Sequence, residues 1–146
     1  MKIHILAIGK IKNGSPESLL IKEYQKRLPW DLIIKEKDND TQEKEAKFLI
    51  DSIPSGSKVV VLDERGENIS SLDFAKKIGT WALNGVSDIC FLIGGADGHL
   101  DIVRQKADLL LSFGKLTMPH MLIRAVLTEQ IYRAHTILNG HPYHRQ

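Results

Sequence analysis

The chain reads as an α/β protein built on a mostly parallel sheet flanked by helices. Three observations predict this. Short apolar runs alternate with segments of helical period from one end to the other. The runs VVVLD and ICFLIGG are apolar at successive positions, as strands covered on both faces are. A length of 146 residues suits one core, so a single domain spanning 1–146 is expected.

Each element has its own signature. KIHILAIG is a first strand. Ser15-Pro16 supplies an N-cap and a proline at the first helical position, and Leu20, Tyr24 and Leu28 recur on one face until Pro29. WDLIIKE is a second strand. Asp40 and Glu43 have capping-box spacing ahead of a helix that turns Ala46, Leu49, Ile50 and Ile53 inward. SKVVVLD is a buried third strand bounded by PSG and ERGEN. Ser70 and Asp73 open a helix through Phe74, Ile78 and Trp81, which Asn84-Gly85 closes. DICFLIGG is a fourth strand, HLDIVRQKA a short helix and DLLLSF a fifth strand. From His120 to Asn139, Ile123, Val126, Leu127, Ile131, Ala134 and Leu138 form a broad apolar stripe. Arg124, Thr128 and His135 fall on a polar flank of that helix, and spacing alone makes it a solvated face. Glu129 and Arg133 are spaced for a modest surface ion pair.

Composition narrows the function classes. Hydrophobic residues are 42% and charged residues 26%, ordinary for a globular protein. No apolar run approaches the ~20 residues of a membrane span, and Met1–Ile8 is too short for a signal peptide. Cys90 stands alone inside an apolar run, so a core thiol in a reducing cytoplasm is expected. The net charge of +2 does not mark a nucleic-acid binder by itself. The charge is uneven, however: after Asp108 the only acid is Glu129, against Lys115, Arg124, Arg133, Arg145 and four histidines.

In open parallel sheets ligands gather at the carboxyl ends of strands. Three such ends stand out: Leu62-Asp63, the glycines of GGADG, and the passage from Phe113 through Gly114 to Pro119. Glycines there let backbone approach a flat ligand, although a tight strand-to-helix turn explains them equally well. A dinucleotide fingerprint belongs after the first strand, not the fourth. GKIKNGS has phosphate-loop glycine spacing but lacks the lysine that should follow Gly14. His141 and His144 have no evident third ligand nearby, so no metal is expected.

The segments LIGGADG, LSFGKLTMPH, IRAVLTEQIYRAHTILNGHPYHRQ and MKIHILAIGKIK are similar to those of the RlmH-type ribosomal RNA large-subunit methyltransferases, members of the SPOUT class. The likeness covers essentially the whole chain and is most specific from Ser112 to Arg145. It implies a C-terminal trefoil knot, a homodimer, and S-adenosylmethionine as methyl donor. The implied reaction is N3-methylation of a pseudouridine in helix 69 of 23S rRNA, on assembled ribosomes. By motif, the cofactor would meet Leu62, Gly94, Phe113, Gly114, Lys115, Leu116, Thr117 and Met118.

The acceptor N3 carries a proton that must leave, and the developing anion benefits from a cation. The ending HPYHRQ holds suitable groups. The catalytic candidates are therefore His144 as base, with proton loss to water beside a purely electrostatic Arg145 as the alternative, Tyr143 as a stacking platform, and Arg145 with Arg133 of the preceding helix as phosphate or carbonyl grips. The resemblance implies that this tail orders against the cleft, with a partner subunit completing the site. A SPOUT enzyme acting on another RNA, and a non-catalytic RNA-binding or ribosome-assembly protein, are the alternatives.

Overall fold

The structure is a computed structural model that describes residues 1–145; Gln146, the last residue of the tail, lies outside them. Five strands, β1 (Lys2–Ile8), β2 (Asp31–Lys37), β3 (Lys58–Glu67), β4 (Asp88–Ile93) and β5 (Leu109–Leu111), form one sheet in the order β2-β1-β4-β3-β5. All four pairings are parallel, as the doubly apolar strands require.

Side-chain alternation along each strand divides the core into two layers. Ile3, Ile5, Ala7, Val60, Leu62, Phe91 and Ile93 face one side. There they meet α1 (Pro16–Arg27), α3 (Ser71–Leu83) and α5 (His120–Leu138) through Leu28, Phe74, Ile78, Leu127 and Ile131. Leu6, Ile8, Val59, Val61, Cys90 and Leu92 face α2 (Gln42–Asp51) and α4 (Asp101–Arg104) through Ala46, Leu49 and Val103. Cys90 is fully buried, and burial pushes its thiol up to about 12, so it serves as a small core residue.

Several elements differ from the sequence reading. The ERGE stretch does not bound β3; the strand continues through it to Glu67, with a register shift after Leu62. Gly66 makes that passage feasible, because a Cβ there would lie 2.6 Å from the Leu110 backbone. Thr41, not Asp40, caps α2 by accepting from the Lys44 N–H, while the Asp40 carboxylate accepts from the Thr41 N–H. On α1 the buried positions are Ser18 and Ile21, and Leu20 is exposed.

The largest revision concerns α5. Arg124 and Thr128 are not on a solvated flank: they are 2% and 0% exposed. Arg124 reaches the carboxyl end of β1, where its Nη2 donates to the carbonyls of Ile8 (2.9 Å) and Gly9 (2.6 Å). Its Nη1 pairs with Glu36 at 2.5 Å, and Glu36 also accepts from the Ile11 N–H. The Ile8 carbonyl ends β1 and the Gly9 carbonyl follows it, so the guanidinium supplies donors where the strand stops. One guanidinium thus joins β1, β2 and the loop that follows β1.

Candidate active site

A cleft of about 390 Å³ opens at the carboxyl ends of β3, β4 and β5. It lies in the size range of small-molecule and cofactor sites. Its walls come from the three strand-end segments singled out by sequence. Leu62 ends the regular part of β3, before its register shift, and Gly94 follows β4; Phe113, Gly114, Lys115, Leu116, Thr117 and Met118 lie between β5 and α5. All eight sequence-selected cofactor positions therefore lie around one cavity. The first turn of α5 adds His120 and Ile123.

Local geometry explains the loop. Gly114 has a φ of +111°, a left-handed conformation that favours glycine. The Ser112 side chain fixes it from one turn back, with its Oγ accepting from the Gly114 N–H at 3.1 Å and lying 3.2 Å from the Gly114 carbonyl oxygen. Leu116 is 86% exposed at the rim, an apolar group free to close over a ligand. The glycines after β4 also lie close against the side chains beneath them. A Cβ on Gly94 would point down onto His99, 3.0 Å from its Cε1, and one on Gly95 would meet Ile8 at 3.1 Å and Glu45 at 3.2 Å. A larger residue at either position would press on the side chains beneath the loop.

Sequence reasoning marked Asp63 as a strand end but gave it no role and no partner in the cleft. The Asp63 side chain is 5% exposed. Its Oδ1 accepts from the Arg65 N–H, and its Oδ2 from Arg104 Nε at 2.7 Å. Burial alone would raise the Asp63 pKa, but the Arg65 amide and the Arg104 guanidinium together hold it below the ordinary carboxylate value. Arg104 in turn pairs with Asp101 at 2.6 Å. The signal for Asp63 was its place at the end of a buried strand; nothing local pointed to Arg104.

The tail residues are elsewhere. Residues 142–144 form a short 3₁₀ turn packed on α1 and α5 of the same chain, and none of Arg133, Tyr143, His144 and Arg145 lines the cleft. The Tyr143 hydroxyl donates to Glu129 (2.9 Å) and lies 3.2 Å from the Tyr24 hydroxyl, from which it accepts. Its ring packs edge-on to Tyr132 with centroids 4.8 Å apart, under the Arg133 guanidinium at 5.2 Å. Burial, with the bonds to Tyr24 and Glu129, pushes the Tyr143 phenol far above its usual value, so it remains protonated. Glu129 and Arg133 do pair, at 2.8 Å, but as part of this half-buried cluster. His144 Nδ1 lies 3.3 Å from the Thr136 hydroxyl, and Arg145 is exposed. Among the described residues, no group of three or more His, Cys, Asp and Glu side chains forms a metal site, and no helix is long and apolar enough to cross a membrane.

A parallel α/β sheet with a strand-end cleft of this size, walled by two glycine loops, is the arrangement in which α/β domains commonly hold small molecules. The sequence profile of the family described as "Predicted SPOUT methyltransferase" matches residues 1–144, and the chain belongs to that family. It is also similar over its full length to proteins named "Ribosomal RNA large subunit methyltransferase H". The one from Paramagnetospirillum magneticum is 50% identical over 152 residues, covering 99% of both chains. Those from Rhodospirillum centenum and Zymomonas mobilis are each 46% identical, over 99% and 100% of this chain and 99% of their own.

Proposed function

We propose that this chain, acting as one SPOUT domain with the trefoil knot of its class, methylates N3 of a pseudouridine in large-subunit ribosomal RNA, at position 1915 in helix 69. The donor is S-adenosylmethionine, the substrate the assembled ribosome, the working form a homodimer and the location the cytoplasm. The observation that carries this reading is the convergence of all eight motif positions on one cleft in a chain of this family.

The cleft residues suit the cofactor. Leu62, Ile93, Phe113, Leu116 and Ile123 offer apolar surface for an adenine ring. The backbone at Gly94 and in the Phe113–Met118 loop offers amides and carbonyls for its edge. When bound, S-adenosylmethionine supplies an electrophilic methyl group on a sulfonium. The protein's task is to align the acceptor nitrogen with that methyl and to keep water out.

Proton removal falls to the tail. Arg133 and the Tyr143 hydroxyl are engaged with Glu129, which leaves His144 as the base and Arg145 as the cation beside the developing anion. These groups lie far from the cleft of their own chain. His120 lines the cleft at the start of α5, and Arg133 is thirteen positions further on, about 20 Å at ~1.5 Å per residue. A second copy of the chain brings a tail to each cleft. Leu19 and Leu20 on α1 and Leu122 on α5 are exposed apolar residues that such a copy would cover.

The test is transfer of a radiolabelled methyl group from S-adenosylmethionine to ribosomes that lack the modification, followed by mapping of the labelled nucleoside. Label on N3 of the helix 69 pseudouridine is expected. Label on another nucleoside or RNA would support a SPOUT enzyme of different specificity, and binding without transfer would support the assembly-protein reading.

A further inference from the structure

The cleft rests on a buried histidine that neither the motifs nor the proposed chemistry uses. His99 follows the GGADG turn, is 6% exposed, and forms part of the cleft wall. On its other side it borders a small internal space with Gln42, Glu45, Leu49 and Val103. A Cβ built on Gly94 would lie 3.0, 3.1 and 3.3 Å from its Cε1, Nδ1 and Nε2. The ring therefore sits directly beneath Gly94, with no room for another group. Its Nε2 is buried and has no hydrogen-bond partner.

We propose that His99 is a positioning residue of the cofactor cleft: its neutral imidazole supports the Gly94 backbone at the height that binds S-adenosylmethionine. The inference rests on the cofactor reading above. An alkyl side chain would fill the same space, but the imidazole adds a dependence on its protonation state.

The charged groups around the ring set that dependence. Asp63 approaches from β3 and Arg104 from α4, while Glu45 of α2 lines the space below. Both carboxylates are already engaged, Asp63 by the Arg65 N–H and Arg104 Nε, and Glu45 by the Asp40 N–H at 2.8 Å. Burial, reinforced by Arg104, lowers the His99 pKa below its ordinary value; Asp63 and the backbone of Leu62 and Leu92 favour the charged ring but offset this only in part. A second ring proton would place a buried cation beside a guanidinium, with only neutral backbone carbonyls and an already engaged Asp63 to balance it. The ring would then turn toward water and leave Gly94 unsupported. Because the cofactor binds the neutral form, the bound state holds fewer protons and affinity falls as pH falls. By linkage, bound cofactor must also lower the His99 pKa.

The experiment titrates S-adenosylmethionine calorimetrically into wild type, H99Q and H99A between pH 5 and pH 8. In parallel, the His99 Cε1–H resonance is followed by NMR with and without cofactor. Wild-type affinity should drop about tenfold per pH unit below the His99 titration. H99Q should bind within a few-fold of wild type at pH 8 and lack that acid slope, and H99A should bind at least tenfold more weakly than wild type at pH 8 and also lack the slope. The NMR midpoint should move to lower pH when cofactor is added. An H99Q slope equal to that of wild type, or an unmoved midpoint in wild type that binds cofactor, would overturn the proposal and leave the cofactor reading standing. Wild type that binds no S-adenosylmethionine at any pH would overturn both. Should H99A not fold, H99Q and the wild-type resonance decide.

Discussion

Replacing Arg124 with methionine should destabilise the protein severely, although the helix sequence places it on a polar flank. Methionine retains most of the apolar stem and fills part of the space, so the loss is mainly polar. The Ile8 and Gly9 carbonyls lose their donor at the end of β1, and each unsatisfied buried group costs about 1–3 kcal/mol. Glu36 loses a partner at 2.5 Å, but its side chain is 23% exposed and keeps the Ile11 N–H, so water offsets part of that loss. The expected total is about 3–5 kcal/mol, the range for breaking a buried pair from one side. For a domain of this size that is a fall in Tm of about 10 °C. Urea unfolding followed by circular dichroism, at matched protein concentration, would measure it. A loss below about 1 kcal/mol would refute the assignment of Arg124 as the tie between α5 and β1.

Three further outcomes are expected. D63N should remove about 2 kcal/mol at neutral pH by loosening Arg104. Because the folded pKa of Asp63 is depressed, its contribution is present above the unfolded value of about 3.9 and is lost as pH falls through the folded one. The acid limb of the stability curve should therefore be shallower in D63N than in wild type, which acid titration of the unfolding midpoint would show. G66A should destabilise β3 and β5 by more than 1 kcal/mol, because its Cβ would meet the Leu110 backbone at 2.6 Å; hydrogen exchange at β5 reads this directly. Finally, a cleft variant such as G114V and the tail double variant H144A/R145A should each be inactive alone. After subunit exchange of an equal mixture, about a quarter of wild-type activity should return, because half the dimers then hold one intact cleft with one intact tail. No recovery, with exchange verified by native mass spectrometry, would exclude sites shared between chains.

What the sequence revealed and what it hid have a common physical basis. The strands and long helices were legible because burial imposes a period, and the cleft segments because they follow strands whose ends are predictable. The hidden features depend on partners remote in sequence. Arg124 meets the Ile8 carbonyl across 116 residues, and Tyr143 meets Tyr24 across 119. No window along α5 contains the carbonyls that bury Arg124. Gly94 shows a related limit: its type was readable as a close approach, but whether the approach is to a ligand above or to His99 below is a three-dimensional fact.

The tail, too, is better understood through its partners than through its composition. Tyr143 packs against Tyr24 and Tyr132 as part of the apolar layer, so removing residues 143–146 would unseat an anchor as well as delete chemistry. The four candidates thus divide by what already holds them. Tyr143 and Arg133 have their polar groups committed to Glu129 and fix the tail on its own chain. His144 has one long contact, to Thr136, and Arg145 projects from the turn. An anchor pair followed at once by two less constrained groups is what a shared site requires. In the homodimer proposed above, the anchor would set the reach of the tail from one protomer, and the residues beyond it would serve the cleft of another without disturbing either core.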